Sequence, residues 1–185
     1  MRKLTITILA ILMVLTLTAC GNKAEAAVKT FMENCKAGKL EEINKYEQQE
    51  VTSDEYQQFY INLFKNLEYT IEKTESKSSD EAIVTVTITN IDMSSAFTTL
   101  FSDYMQWALG KVLSGQEVSD QEVSDKMMEI LNNLIETNKG NTKTTTVEIT
   151  VIKEDGNWNV KLDEKLFDAI TGGFISSIAN FDLDY

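Results

Sequence analysis

Apolar residues return at three- and four-residue steps in some stretches of the chain and at every second residue in others. The alternation of these two periods outlines the elements. Ala24, Ala27, Val28, Phe31, Met32 and Cys35 form one helical stripe, and Gly38 suits the end of that helix. Leu40, Ile43 and Tyr46 continue as a further helical turn or two. Thr52 and Glu55 have capping-box spacing ahead of a third helix, whose stripe is Tyr56, Phe59, Tyr60, Leu63, Phe64 and Leu67. The period then drops to two. Tyr69, Ile71 and Lys73 alternate with Thr70, Glu72 and Thr74, and after a polar turn at 76–80 Val84, Val86 and Ile88 alternate with Thr85, Thr87 and Thr89. These two strands form an antiparallel hairpin. Residues 93–139 return to helix, with one stripe at Phe97, Leu100, Phe101, Tyr104 and Ala108 and another at Met127, Met128, Leu131, Leu134 and Ile135. A second hairpin runs from Thr144 to Ile152, turns at Asp155-Gly156 and returns through Trp158 and Val160. Asp163 suits the N-cap of a short helix holding Leu166, Phe167 and Ile170. Gly172-Gly173 breaks that helix before an apolar tail of Phe174, Ile175, Ile178 and Phe181. The order predicts one α+β domain over 24–185: N-terminal helices packed on an antiparallel sheet, with a helical insertion at 93–139 between two β-hairpins.

The first twenty residues follow another logic. Arg2 and Lys3 precede an apolar run from Leu4 to Leu17 interrupted only by threonines. Fourteen residues of helix rise about 21 Å, short of a hydrocarbon core of ~30 Å, so the run reads as a secretory signal rather than a membrane span. Its end, Leu17-Thr18-Ala19-Cys20, resembles the lipobox of bacterial lipoproteins: an aliphatic residue, two small ones, then cysteine. That resemblance implies cleavage of residues 1–19 and acylation of the Cys20 thiol. It also implies a short tether over 20–23 and a domain held at the extracytoplasmic face of the cell membrane. Two acyl chains give stable anchoring where one gives only marginal binding.

Composition narrows the chemistry. Losing Arg2 and Lys3 takes the net charge from −12 to −14. Such a surface disfavours nucleic acid and a polybasic membrane contact, and suits a protein partner with a basic face. The chain has no histidine, which removes the commonest general base and the commonest metal ligand. Besides Cys20, the remaining cysteine is Cys35, which reads as a small buried hydrophobe on its stripe. The tandem copies Gln116-Glu117-Val118-Ser119-Asp120 and Gln121-Glu122-Val123-Ser124-Asp125 lack the spacing and glycine of a calcium loop and read as a slipped duplication in a loop or helix start. No metal, cofactor or catalytic residue is expected.

Two further stretches resemble the small lipoproteins with a nuclear-transport-factor-two-like (cystatin-like) fold. One runs from Ala27-Val28-Lys29-Thr30-Phe31 through Lys36-Ala37-Gly38-Lys39-Leu40-Glu41; the other is the late hairpin Asp155-Gly156-Asn157-Trp158-Asn159-Val160. The resemblance implies a curved sheet wrapped as a cone around a long helix, often enclosing a pocket. It implies no activity, since that fold hosts enzymes, binders and assembly modules. The expectation is a lipid-anchored binding lipoprotein holding a small apolar ligand or a protein partner. Its candidate pocket residues are Tyr69, Tyr104, Met105, Trp107 and Trp158. Alternatives are an accessory or immunity-type interaction protein of an envelope complex, and an enzyme working with paired carboxylates.

Overall fold

The computed structural model describes residues 21–41 and 54–180. The expectations placed on the lipobox, on Ile43 and Tyr46, on the Thr52–Glu55 cap, on the Tyr56 side chain and on Phe181 lie outside the described residues and side chains. In order the elements are helix α1 (21–36), helix α2 (Asp54–Phe64), strands β1 (Glu68–Ser76) and β2 (Glu81–Ile91), and helices α3 (Ala96–Leu113) and α4 (Asp120–Thr137). Strands β3 (Thr142–Glu154) and β4 (Asn157–Val160) and helices α5 (Glu164–Ile170) and α6 (Phe174–Ala179) complete the chain. The four strands form one antiparallel sheet in the order β1-β2-β3-β4, so the fold is α+β with α3 and α4 inserted between two hairpins.

Alternation decides which face of the sheet is covered. Ala82, Val84, Val86 and Ile88 of β2 and Val147, Ile149 and Val151 of β3 are buried against α1, α2 and α5. The intervening threonines line the other face, where Thr87 meets Thr146 at 3.0 Å and Thr89 meets Thr144 at 2.8 Å, hydroxyl to hydroxyl across the central strand pair. Strand β1 departs from strict alternation. Ile71 pairs with Val86 but Lys73 pairs with Thr85, so Glu72 is an extra residue in a bulge. The bulge carries Lys73 outward and leaves the half-buried Thr74 opposite the core residue Val84, a correction to the expectation that Lys73 shares the Tyr69–Ile71 face. The second hairpin is tight. Asp155 (φ 50°) and Gly156 (φ 84°) are both left-handed, as a two-residue turn matching the twist of its strands requires.

Helix α1 is already formed at residue 21, three residues before its apolar stripe begins at Ala24, so residues 21–23 of the expected tether are helical. It ends in a paired bond pattern: the Gly38 N–H donates to the Cys35 carbonyl and the Lys39 N–H to the Asn34 carbonyl, both at 2.9 Å. The tandem pentapeptide also resolves. Ser119 of the first copy caps α4, accepting from the Glu122 N–H, while Glu122 of the second copy reaches back to the Ser119 N–H. The copies are identical in sequence but one lies before a helix and the other inside it, because a cap needs its glutamate three residues downstream. Glu122 is held below the usual carboxylate range, first by that backbone bond and then by Lys111.

The insertion is joined to the body by polar bonds. Asn90 is fully buried at the end of β2; its amide donates to the Ile170 carbonyl at 2.6 Å and its carbonyl oxygen accepts from the Ile91 N–H at 2.8 Å. The Met93 N–H donates to the Gly172 carbonyl at 2.8 Å, and the Asp92 N–H to the Asn141 carbonyl at 2.9 Å. Asp168 supplies the cap that Gly173 cannot, accepting from the Ser176 N–H at 2.7 Å at the start of α6.

Candidate functional site

Helix α1 crosses the inner face of the sheet between its two edge strands, and three stripes on it differ in chemistry. Ala24, Val28, Met32 and Cys35 are buried. Glu25, Lys29, Glu33 and Lys36 project on the flank beside β1. Lys23, Ala26, Ala27, Thr30 and Asn34 lie on the flank beside β4. Because the side chains on that second flank are mostly short, a space of about 430 Å³ opens between helix and strand, lined by Phe31, Asn34, Trp158 and Val160, while Asn157 and Asn159, next to them on β4, turn their side chains to the other face of the sheet. Lys23 is its one charged residue. Among the described residues, neither the Trp158 indole N–H nor the Asn34 amide has a hydrogen-bond partner.

The opposite cleft, about 620 Å³ beside β1, is lined by Glu25, Lys29, Glu33, Lys36 and Glu68 with Tyr69 and Ile71. The Tyr69 hydroxyl donates to the Glu33 carboxylate at 2.9 Å. Burial, then that carboxylate, push the phenol up to about 12. A raised acid favours the folded state below its ordinary value near 10 and loses that advantage as pH climbs through 12. Unfolding midpoints followed from pH 9 to 12 should therefore fall more steeply for the parent protein than for Tyr69→Phe; parallel curves would contradict the pairing. At the far end of β1, Glu75 is drawn down to about 2 by hydrogen bonds from Lys73 at 2.6 Å and Lys77 at 2.8 Å, all of it on the exposed surface.

A third cleft, about 480 Å³, separates α3 from α4 and is lined by Asp103, Trp107, Lys126, Glu129, Ile130 and Asn133 among others. Tyr104 packs its ring 5.7 Å from that of Trp107, over which Lys111 also lies. Elsewhere on α3 apolar side chains reach solvent: Phe101 and Met105 are 40% exposed, Leu109 55%, Val112 71% and Leu113 86%, rising toward the turn at the helix end. Helix α3 buries only Ala96.

The five residues named from the sequence as a pocket thus fall in different places. Tyr69 lies in the cleft beside β1, Trp158 in that beside β4 and Trp107 between α3 and α4, while Met105 is on the exposed ridge. Of the five, Tyr104 and Trp107 are in ring contact. They were expected to share one pocket, and the described clefts are open grooves rather than one enclosed space. The asparagines beside Trp158 and the small residues of α1 were not anticipated, although Ala26, Ala27 and Thr30 on one helical flank against charges on the other was a readable signal. Among the described residues no three His, Cys, Asp or Glu side chains are grouped so as to hold a metal ion.

The chain is an α+β domain with clefts on both sides of its first helix. It belongs to the family described as domain of unknown function (DUF5105), whose profile matches residues 18–175. No curated protein matches it. It is similar, at 23% identity, to the crystal structure of "a putative lipoprotein (ycdA)" from Bacillus subtilis subsp. subtilis str. 168. That match covers 81% of this chain and 46% of the other, with a TM-score of 0.40, so the chain spans a little under half of that protein's length. No described helix is long and apolar enough to cross a membrane.

Proposed function

We propose that this is a lipid-anchored, extracytoplasmic binding lipoprotein: residues 1–19 are removed, Cys20 is acylated, and the domain holds a ligand at the cell envelope without transforming it. The observation that carries the reading is the cleft beside β4, which starts at Lys23, three residues after the anchoring cysteine, and contains no carboxylate. The anchor then stands at the end of the helix along which the site runs, from Lys23 to Asn34. The cystatin-like cone is the finer reading of the fold, resting on the two stretches that resemble that superfamily. Cys20→Ser is expected to leave the protein unprocessed or released from the membrane fraction; undiminished membrane retention of the processed variant refutes the anchor.

A second reading is favoured by the ridge on α3. Monomeric proteins seldom leave large contiguous apolar surface exposed without a partner, and the chain's net charge of −12 suits a partner with a basic rim. The domain would then be an accessory or immunity-type subunit of an envelope complex. Leu109→Lys with Leu113→Lys should abolish in-cell crosslinks to such a partner while leaving the melting temperature unchanged; crosslinks that persist in the double variant argue against the ridge.

A further inference from the structure

We propose that the cleft beside β4 is a glycan site, with Trp158 as the stacking platform and the Asn34 amide as the hydrogen-bonding group facing it. This assignment rests on the binding-lipoprotein reading and names its ligand class. Elimination leads there from the lining of the cleft. A cationic ligand would seek carboxylates, and this cleft has none in a chain with 29 acidic residues. An anionic ligand would meet one lysine against a net charge of −12 or lower. A wholly apolar ligand would desolvate the Asn34 amide and the Trp158 indole N–H without replacing their water bonds, which costs free energy for each. What remains is an uncharged molecule with one apolar face and many groups that both donate and accept.

A pyranose ring has that description. Its C–H face is flat and apolar, and its hydroxyls each donate and accept. An indole offers a flat face and an N–H donor. An asparagine amide carries a carbonyl acceptor and two N–H donors in one plane, so it can pair with adjacent hydroxyls. The Trp158 N–H and the Asn34 amide stand without partners among the described residues. About 430 Å³ suits one to a few sugar rings lying in an open groove. The charged cleft beside β1 and the cleft between α3 and α4, which holds Asp103 and Glu129, lack this combination. A peptide is the rival occupant, but β4 spans only Asn157–Val160, a short edge for strand addition.

The test uses the processed protein in detergent carrying Trp107→Phe, so that Trp158 is the sole tryptophan. Its fluorescence is titrated with chitotriose, cellotriose, a tri-alanine peptide and laurate. The expected result is a saturable change with at least one trisaccharide. Ala26→Phe, which fills the cleft from an exposed position without touching the core, should weaken it about tenfold or more. Asn34→Ala should weaken it by a smaller factor. A saturable response to the peptide or to laurate and to neither sugar overturns the glycan assignment while leaving a binding lipoprotein in place. A sugar response indifferent to Ala26→Phe overturns the location. Silence toward every probe from a protein with an unchanged melting temperature removes the cleft as a binding site and with it the reading on which the glycan rests. Trp158→Ala, followed by calorimetry, should lose the sugar heat altogether; retained heat contradicts the platform.

Discussion

Gly172→Ala is expected to cost about 3 kcal/mol or more, a fall in melting temperature of roughly 6–12 °C for a domain of this size. Two causes add. Gly172 has φ +64°, where a side chain costs about 1–2 kcal/mol. A Cβ built there would also lie 1.9 Å from the carbonyl oxygen of Ile91. That neighbour is backbone, at the point where the chain leaves the sheet for the insertion, and it cannot swing aside as a side chain could. The Gly172 carbonyl meanwhile receives the Met93 N–H at 2.8 Å, so displacement of the loop breaks a second bond. Gly110→Ala is the matched control. That glycine lies within α3 with nothing within 4 Å of the added Cβ, so the same substitution should stabilise by about 0.5–1 kcal/mol. Equal effects at the two positions in thermal melts would show that the contact with Ile91 does not restrain the fold.

Asn90→Leu should be nearly as severe, at about 2–4 kcal/mol by chemical denaturation, because it orphans two buried groups at once. The Ile170 carbonyl belongs to the last turn of α5, where intrahelical donors have run out, and Asn90 is the donor that satisfies it. The Ile91 N–H loses its acceptor in the same substitution. Asn90→Asp separates the two roles. The carboxylate can still accept from Ile91 but confronts the Ile170 carbonyl oxygen at 2.6 Å, so only the protonated acid restores the donor. The variant should therefore gain stability relative to the parent as pH is lowered from 7 to 4. A pH-independent difference would mean that the amide does not act as the bridge.

Much of the architecture was legible because its physics is local. Alternation placed β2 and β3, the Asp155-Gly156 pair placed the second hairpin, and Asp163 caps α5 by accepting from the Leu166 N–H as its position predicted. The bulge in β1 was not legible: Lys73 and Thr74 are both polar, so slipping one past the other leaves no mark in the hydrophobic pattern. The α3 ridge shows a different limit. Phe97, Leu100, Phe101 and Tyr104 have the period of a helix, but periodicity names a face and not what covers it, and Phe101 is left 40% exposed. Gly172-Gly173 could be read as a helix breaker, whereas the carbonyl of Ile91, 81 residues before Gly172, could not be read as the reason. The site suffered most from this. Trp158 was chosen with Tyr69 and Trp107 because aromatic residues recommend themselves one at a time. Which of them share a cleft is settled by the crossing of α1 over the sheet, and no spacing in the sequence encodes it.

The measurement that bears most directly on the account is the mass of the N-terminal peptide recovered from the membrane fraction. A diacylglyceryl adduct on a peptide beginning at Cys20 is the predicted result. A peptide that still begins at Met1, or one whose first sulfur is bare, would leave the domain without its anchor and the cleft beside Lys23 without its place at the envelope.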